Sequence, residues 1–312
     1  MNSIHGLMAG IVDYAGLYPP ASLEMAPTVH KYAKFREMPE REMLGRIVIP
    51  VSRFAEFEDA AAELLTPVPA AEGEEVEPDP WPITALISPA SDHEALEADI
   101  EAIHAFNDAH TAEGHGAAIV DTLELQASSG AEIDAVLEDL DDELFPYFEL
   151  DPTSDIRGAL AALVGLDAGA KIRTGGVTVE AHPSPEVVAE FIAACQSAQV
   201  PFKATAGLHH PVRHFSESVG TKQLGFLNVF LGACLIHAKQ IDADELLDVI
   251  KEEDPAAFAF GIDSAKWRDR EISLEELEMA RWRFAHSFGS CSFDEPLDDL
   301  RALGLLEKEA SA

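Results

Sequence analysis

The chain alternates short β-like runs with helix-like stretches from one end to the other, and this alternation constrains its fold more than any other feature. Eight runs have strand character, at residues 13–17, 46–50, 83–88, 118–123, 147–150, 170–174, 202–205 and 258–262. The helix-like stretches cover residues 26–36, 53–65, 93–109, 131–140, 155–166, 185–196, 222–250 and 274–286. Strands separated by helices pair in parallel, so eight such units predict an α/β fold of the (β/α)8 TIM-barrel type.

A doubly wound parallel sheet is the alternative fold, but no Gly-x-Gly-x-x-Gly turn follows an early strand. We therefore expect residues 1–312 to form a single barrel domain. Two segments depart from the pattern: a loop near residues 66–81 that is acidic and rich in Pro, and a helical insert near residues 208–250. The loop joins a helix to the next strand, so we expect it at the amino-terminal face of the barrel, away from the chemistry.

The composition narrows the classes of partner. The 312 residues include 57 acidic and 21 basic side chains, a formal charge of −36, which argues against nucleic-acid binding. No run of 18 apolar residues exists, and the first residues lack the basic segment of a signal peptide. We therefore expect a soluble, cytoplasmic protein that does not enter a membrane. The acid excess is typical of halophilic proteins, and simple solubility is the alternative explanation.

Two lysines lie inside otherwise apolar or small-residue strands, in a chain that has only nine lysines. Lys171 and Arg173 share one face of the sixth predicted strand, and Lys203 and Thr205 share one face of the seventh. Neighbouring barrel strands lie about 4.8 Å apart, so we expect the two lysines to be near neighbours. Crowded cations in a desolvated pocket lower a lysine pKa, and a free amine can form a Schiff base. The alternative is that each lysine forms a structural ion pair with a carboxylate.

The segments 171–176 and 201–207 resemble those of class I aldolases of the deoxyribose-phosphate aldolase type. In that family, a lysine in a K-x-x-T-G segment on strand six forms the Schiff base. A second lysine, in a K-x-x-G-G segment on strand seven, tunes the first. The close similarity spans only residues 171–213, and it implies a barrel with lyase chemistry that needs no cofactor.

The resemblance assigns roles residue by residue. Lys171 with Thr174 and Gly175 matches the first motif, and Lys203 with Gly207 matches the second. The family's phosphate-binding glycine pair is replaced by Ala206-Gly207, and its strand-eight loop corresponds to residues 261–264, which include an aspartate. An aspartate repels a phosphate dianion, so we expect a small polar aldehyde or keto compound as the substrate.

Several polar residues at predicted strand ends complete the candidate site. The family's strand-four acid corresponds to Asp121 or Glu124, and periodicity does not choose between these two proton carriers. Arg173 and Thr205 are expected to orient the substrate. Gly176, next to Gly175, is expected either to cradle an anion with its backbone amide or simply to turn the chain. The remaining candidates for substrate binding are Glu149, His209 and Ser264.

Two other functions compete with the lyase hypothesis. Glu124, Glu149 and His209 offer oxygen and imidazole ligands, which suit a metal-dependent barrel hydrolase or lyase, although their spacing matches no tight metal motif. The third hypothesis is a barrel that no longer catalyses. The apolar segment 225–236 predicts either a buried helix or a face for a homo-oligomer. We expect a small molecule to be the partner and predict no metal.

Overall fold

The structure is a computed structural model that describes residues 2–69 and 79–307. Most of the loop predicted near residues 66–81 therefore lies outside the described residues. Seven parallel strands come first, followed by two small antiparallel sheets and one further barrel strand. In chain order the strands are β1 (Val12–Tyr14), β2 (Leu44–Pro50), β3 (Trp81–Leu86), β4 (Ala118–Gln126), β5 (Phe145–Glu149), β6 (Gly169–Arg173), β7 (Phe202–Thr205), β8 (His214–Ser216), β9 (Thr221–Gln223), β10 (Phe258–Phe260), β11 (Ser264–Trp267), β12 (Arg270–Ser273) and β13 (Ala285–Ser290).

Strands β1 to β7 and β13 close into a parallel barrel with the order β1-β13-β7-β6-β5-β4-β3-β2, which confirms the predicted α/β barrel. The helices are α1 (Ser3–Met8), α2 (Met25–Arg36), α3 (Phe54–Ala61), α4 (His93–Thr111), α5 (Gly130–Asp139), α6 (Arg157–Leu163), α7 (Pro185–Ala198), α8 (Phe226–His237), α9 (Ala243–Lys251), α10 (Leu274–Arg283) and α11 (Asp294–Ala302). None of the helices in the described ranges has the length and apolar character that a membrane crossing requires.

The eighth barrel strand is not where the sequence predicted it. The predicted run at residues 258–262 yields β10, which pairs with β11 in a three-stranded sheet outside the barrel. The barrel is closed instead by β13, which pairs with β7 and β1. Its sequence, Ala-His-Ser-Phe-Gly-Ser, has no β-branched residue, so β-propensity gives no signal for it. Burial between two neighbouring strands determines its conformation instead.

The segment between β7 and β13 contains more than a helical insert. A hairpin of β8 and β9 comes first, and α8 and α9 follow it. Every residue of α8 from Phe226 to Ile236 is buried within the chain, so this apolar segment is a buried helix. Its Phe230 packs against Phe288 of β13, with ring centroids 5.6 Å apart, and this contact holds the last barrel strand against the helical layer.

Strand register brings the two strand lysines together as predicted. Lys171 of β6 pairs directly with Lys203 of β7, and Glu149 of β5 pairs with Lys171. Between β3 and β4 the register shifts by one residue, because Ile83 pairs with Val120 whereas the next residue of β3 pairs with Thr122. Asp121 is the extra residue, and such a β-bulge re-aims a side chain.

Candidate functional site

Three carboxylates and three cations alternate through the interior of the barrel, and we call them the charge row. In spatial order they are Asp13, Lys203, Glu124, Lys171, Glu149 and Arg173. Both lysines contact a carboxylate on each side, and Arg173 ends the row. The formal charges of the six side chains sum to zero, so the row adds no net charge to the barrel.

Lys203 lies at the buried end of the row, with 0% of its side chain exposed. Its Nζ donates to Asp13 Oδ2 at 2.6 Å and lies 2.6 Å from Glu124 Oε1. Asp13 is held in turn by the hydroxyl of Ser287, which donates to Oδ2 at 2.7 Å, and by the backbone N–H of Arg46, which donates to Oδ1 at 2.8 Å. The buried charge of Lys203 is therefore paired and hydrogen-bonded on both sides, as burial of an ion requires.

The charge state of Lys203 follows from these neighbours. Burial by itself lowers the pKa of a lysine, but the charges of Asp13 and Glu124 outweigh it and hold the pKa of Lys203 above its ordinary value. The two neighbouring lysines share an anion, because the Glu124 carboxylate contacts both ammonium groups. Lys203 is a fixed cation rather than a free amine.

Lys171 occupies the next cationic position, closer to the carboxyl ends of the strands. Its Nζ donates to Glu124 Oε2 at 2.5 Å and lies 2.8 Å from Glu149 Oε2. Its side chain is 6% exposed and lines a cavity of about 250 Å³. Lys171 therefore faces a cavity at the carboxyl ends of the strands, where a small ligand can reach it.

The two carboxylates beside Lys171 are ionised at neutral pH. Burial raises the pKa of Glu124, but the charges of Lys171 and Lys203 outweigh burial and lower the pKa to about 2. Burial likewise opposes ionisation of Glu149, and the charges of Lys171 and Arg173 overcome it and lower its pKa. Both carboxylates are therefore anions that hold the Lys171 amine between them.

The cavity beside Lys171 lies at the carboxyl ends of the barrel strands, where barrel enzymes place their active sites. Side chains from several strands and from the loops after them complete its wall, including Tyr18, Val48, Leu86, Thr205, His209 and Cys291. Burial and the charge of Glu124 raise the pKa of Tyr18 to about 12, so its hydroxyl keeps its proton. The Nδ1 atom of His209 lies 3.0 Å from Glu295 Oε2.

Most of the predicted site residues meet at this cavity. Lys171, Glu124, Arg173, Gly176, Thr205 and His209 line it, Glu149 contacts Lys171, and Lys203 lies beneath Glu124.

The other three motif residues link the loops after β6 and β7. The hydroxyl of Thr174 donates to the backbone carbonyl of Ala206 at 2.6 Å. A Cβ atom at Gly175 would lie 2.7 Å from the Cα atom of Gly207, and Gly207 has a φ of +80°. These glycines are required for a close backbone approach.

Asp121 is not in this site. The β-bulge turns its side chain toward the amino-terminal end of the barrel, where its carboxylate accepts two hydrogen bonds from the Arg46 guanidinium, at 2.6 and 2.8 Å. Of the two acids that periodicity left open, Glu124 is therefore the one beside the lysines.

Ser264 is not in the site either. It begins β11 in the outer sheet, and its hydroxyl donates to Glu271 Oε1 at 2.6 Å. It was predicted at the end of the eighth barrel strand, and that assignment is wrong because β13 is the eighth strand. The residues that replace it at the site are Gly289 of β13 and Cys291 just after it.

Sequence reasoning missed Asp13. Asp13 lies in β1 and is 1% exposed, so it is as deeply buried as its apolar neighbours. A signal was available, because Asp13 is a carboxylate between Val12 and Tyr14 in a short apolar run. Buried carboxylates need a partner, so this position predicts a cation inside the barrel.

Two further cavities flank the site. One of about 760 Å³ lies against the loops after β4 and β5 and shares Arg173 with the Lys171 cavity. The other, of about 1040 Å³, enters from the amino-terminal end and reaches Asp13 and Lys203. In its wall the Tyr147 hydroxyl lies 2.5 Å from Nδ1 of His286, and burial together with neighbouring cations lowers the pKa of His286 to about 4.

The arrangement of donors does not favour the metal hypothesis. Within residues 2–69 and 79–307, no group of three or more His, Cys, Asp or Glu side chains is placed to hold a metal ion. The position between Glu124 and Glu149 is taken by the Lys171 ammonium group. His209 is bound to Glu295 instead.

Comparison with protein-family models and with curated protein sequences found no match to this chain. The geometry above is therefore the basis for a functional assignment.

Proposed function

We propose that this chain is a Schiff-base carbonyl lyase, similar in chemistry to class I aldolases, and that Lys171 is its nucleophile. The observation that supports this most is the position of the Lys171 amine, which lines a small cavity between two ionised carboxylates. The resemblance of residues 171–176 and 201–207 to that enzyme family points to the same lysine.

The first step is the formation of an iminium ion. Lys171 gives a proton to Glu124, and the neutral amine attacks the carbonyl carbon of the substrate. Glu124 returns that proton to the former carbonyl oxygen, takes a second proton from the nitrogen, and delivers it as water leaves. The sum of these transfers is that an ammonium group and a carbonyl give an iminium ion and one water.

The charge row suits this step because the charge on nitrogen is the same before and after it. The carboxylates that stabilise the ammonium group also stabilise the iminium ion, without reorganisation. Lys203 keeps its own charge throughout and fixes Glu124 in place through the 2.6 Å contact. We assign Lys203 the role of a positioning residue.

The second step cleaves a carbon–carbon bond. Glu149 takes the proton of a hydroxyl group on the β-carbon of the iminium adduct. The bond between the α- and β-carbons then breaks, its electron pair moves toward the iminium nitrogen, and an aldehyde leaves. Glu149 returns its proton to the α-carbon of the resulting enamine, and water hydrolyses the iminium ion to release the second product. Arg173 and Thr205, which line the cavity, orient the substrate's oxygens in this proposal.

Reductive trapping tests this function. The protein is incubated with a panel of small aldehydes and ketones, sodium borohydride is added, and the intact mass is measured. We expect a single covalent adduct in the wild-type protein and none in Lys171→Met, which leaves Glu124 paired with Lys203 and Glu149 paired with Arg173.

The matched control is Lys222→Met, because Lys222 is an exposed lysine that pairs with Glu253 on the surface. This variant should form the adduct like the wild type. An adduct of equal yield in Lys171→Met, or no adduct with any compound of the panel, would overturn the proposed function.

A further inference from the structure

We infer that the substrate of the Lys171 site is a neutral, hydroxylated aldehyde or ketone rather than a phosphate ester, and that its hydroxylated part occupies the 760 Å³ cavity next to Arg173. This inference rests on the proposed Schiff-base function. It concerns the far end of the substrate, which the chemistry at Lys171 does not specify.

The first argument is the charge at the place where barrels commonly bind phosphate. That place is formed by the loops after the seventh and eighth strands and by the amino terminus of a following helix. Here the loop after β13 leads into α11, whose first turn contains Asp294 and Glu295. These carboxylates occupy the positive end of the helix dipole, so a phosphate would meet negative charge there.

Second, several donors in this corner have partners within the chain. The N–H of Ala206 donates to the carbonyl of Gly289 at 3.3 Å, and the N–H of Ser292 donates to the hydroxyl of Ser290 at 3.2 Å. The His209 ring lies against Glu295. A phosphate would have to displace these contacts.

The third argument is the balance of charge inside the Lys171 cavity. Of the residues that line it, the cationic side chains are Lys171 and Arg173, and both contact Glu149. A phosphate dianion in a desolvated cavity needs an uncompensated cation. Neither lysine nor arginine provides one here.

The Lys171 cavity is too small for a whole substrate, so the rest of the substrate needs the neighbouring cavity. About 250 Å³ is below the range of about 300–1,000 Å³ for small-molecule sites, so it holds the carbonyl end of a substrate but little more. Arg173 lines both cavities, and Glu149, which lines the larger one, lies 2.8 Å from the Lys171 amine. A longer substrate bound at Lys171 therefore extends past the Arg173–Glu149 pair into the larger cavity.

The lining of the larger cavity suits hydroxyl groups. Its wall contains both hydroxyl or amide side chains and carboxylates, among them Ser91, Gln126, Ser128, Ser154, Glu132 and Asp155. Such groups donate to and accept from the hydroxyls of a polyol. The carboxylates would repel a phosphate or a carboxylate on the substrate.

Matched pairs of aldehydes test the charge preference. Borohydride-dependent labelling of Lys171 is compared for glyceraldehyde against glyceraldehyde 3-phosphate, and for erythrose against erythrose 4-phosphate. Each rate is divided by the rate with free Nα-acetyl-lysine, which corrects for the amount of free aldehyde. We expect each neutral compound to label at least about tenfold faster than its phosphate ester.

A substitution in the larger cavity tests its occupancy. Gly158 lines this cavity, and a Cβ atom there would meet no atom within 4 Å, so Gly158→Trp fills the space with little strain in the fold. We expect labelling by erythrose to fall about tenfold and labelling by the two-carbon glycolaldehyde to stay unchanged. Phe215→Trp is the control, because Phe215 is an exposed residue of β8 that lines neither cavity, and it should leave both rates unchanged.

The outcomes separate the two proposals. If no aldehyde labels Lys171, the Schiff-base function itself fails. If phosphate esters label as fast as the neutral compounds, or if Gly158→Trp leaves the erythrose rate unchanged, the inference about the substrate is overturned and the Schiff-base function stands.

Discussion

Glu124 links the two lysines, since one of its oxygens contacts Lys203 and the other contacts Lys171. Its removal would leave one side of each ammonium group without a carboxylate, although the two lysine side chains are only 6% and 0% exposed. A buried charge that loses its partner costs several kcal/mol, whereas an exposed pair is worth little. Stability and chemistry thus depend on the same residue.

Glu124→Gln is expected to lower the free energy of unfolding by about 3–5 kcal/mol at pH 7. The folded-state pKa of Glu124, about 2, lies below its ordinary value of 4.5. Its contribution is therefore complete above pH 4.5 and is lost as the pH falls toward 2. Urea unfolding at pH 7 and at pH 3 measures this. The free energy of unfolding should fall less between pH 7 and pH 3 in the variant than in the wild type.

The control is Glu56→Gln, because Glu56 forms an exposed pair with Arg53. It should leave the free energy of unfolding nearly unchanged. Equal effects of the two substitutions would contradict the importance that we assign to the buried row.

His286 supplies a second pH dependence, of a different origin. Burial lowers its pKa from 6.5 to about 4, so the unfolded chain binds a proton in this interval and the folded chain does not. Stability therefore falls as the pH decreases from 6.5 to 4, by at most about 3 kcal/mol. In His286→Gln this part of the pH dependence should disappear from denaturant titrations between pH 7 and pH 4. An unchanged slope would show that another group is responsible.

At the scale of single residues, the sequence predicted the two strand lysines and their adjacency because strand periodicity places both inside the barrel. It could not predict the order of charges between them. That order depends on Asp13, which lies 190 positions before Lys203, and on a strand-four carboxylate. Arguments from periodicity also assume a regular strand, so they could not predict the bulge at Asp121.

At the scale of elements, the loops after β6 and β7 hold the site together. They approach each other at Gly175 and Gly207, where an added Cβ would lie 2.7 Å from a backbone atom. The hydroxyl of Thr174 bridges the same two loops. Lys171 and Lys203 lie just before these loops. The distance between the two loops therefore determines the shape of the cavity.

Gly175→Ala is expected to force the two loops apart, to destabilise the fold by about 1–3 kcal/mol and to lower the rate of Schiff-base trapping. Gly158→Ala introduces the same methyl group where no atom lies within 4 Å, so it should lower neither quantity. Thermal unfolding and trapping rates of the two variants check this. Equal stabilities and equal trapping rates in the two variants would contradict the close approach of the loops.

Seven barrel strands were predictable because each combines apolar residues with turn or helix signals on either side. The eighth was not, because β13 consists of small and polar residues and its Phe288 is its only large apolar residue. The run that resembled a strand, at β10, is a strand, but it pairs with β11 outside the barrel. Propensity finds such segments, whereas only tertiary pairing decides which sheet they join.

At the scale of the whole molecule, the charge row is neutral, so the formal charge of −36 belongs entirely to the rest of the chain. Like charges on a compact molecule repel one another and destabilise the folded state. Salt screens this repulsion, with a screening length of about 10 Å at 0.1 M and about 3 Å at 1 M.

We therefore expect the free energy of unfolding to rise as potassium chloride is increased from about 0.1 M to about 1 M. Urea unfolding at each salt concentration measures it, since urea adds no charge. Buried pairs are screened much less, so Glu124→Gln should show the same rise with salt as the wild type. A stability that falls with salt would mean that exposed ion pairs outweigh the repulsion.

We expect Lys171, rather than lysines in general, to react with carbonyl compounds. Peptide mapping after borohydride reduction with glyceraldehyde tests it most directly, because it locates the modified residue. We predict that the added mass lies on the peptide containing Lys171 and that Lys203, fully buried behind Glu124, is unmodified. Labelling spread over exposed lysines such as Lys222 and Lys266, with Lys171 unmodified, would contradict the account.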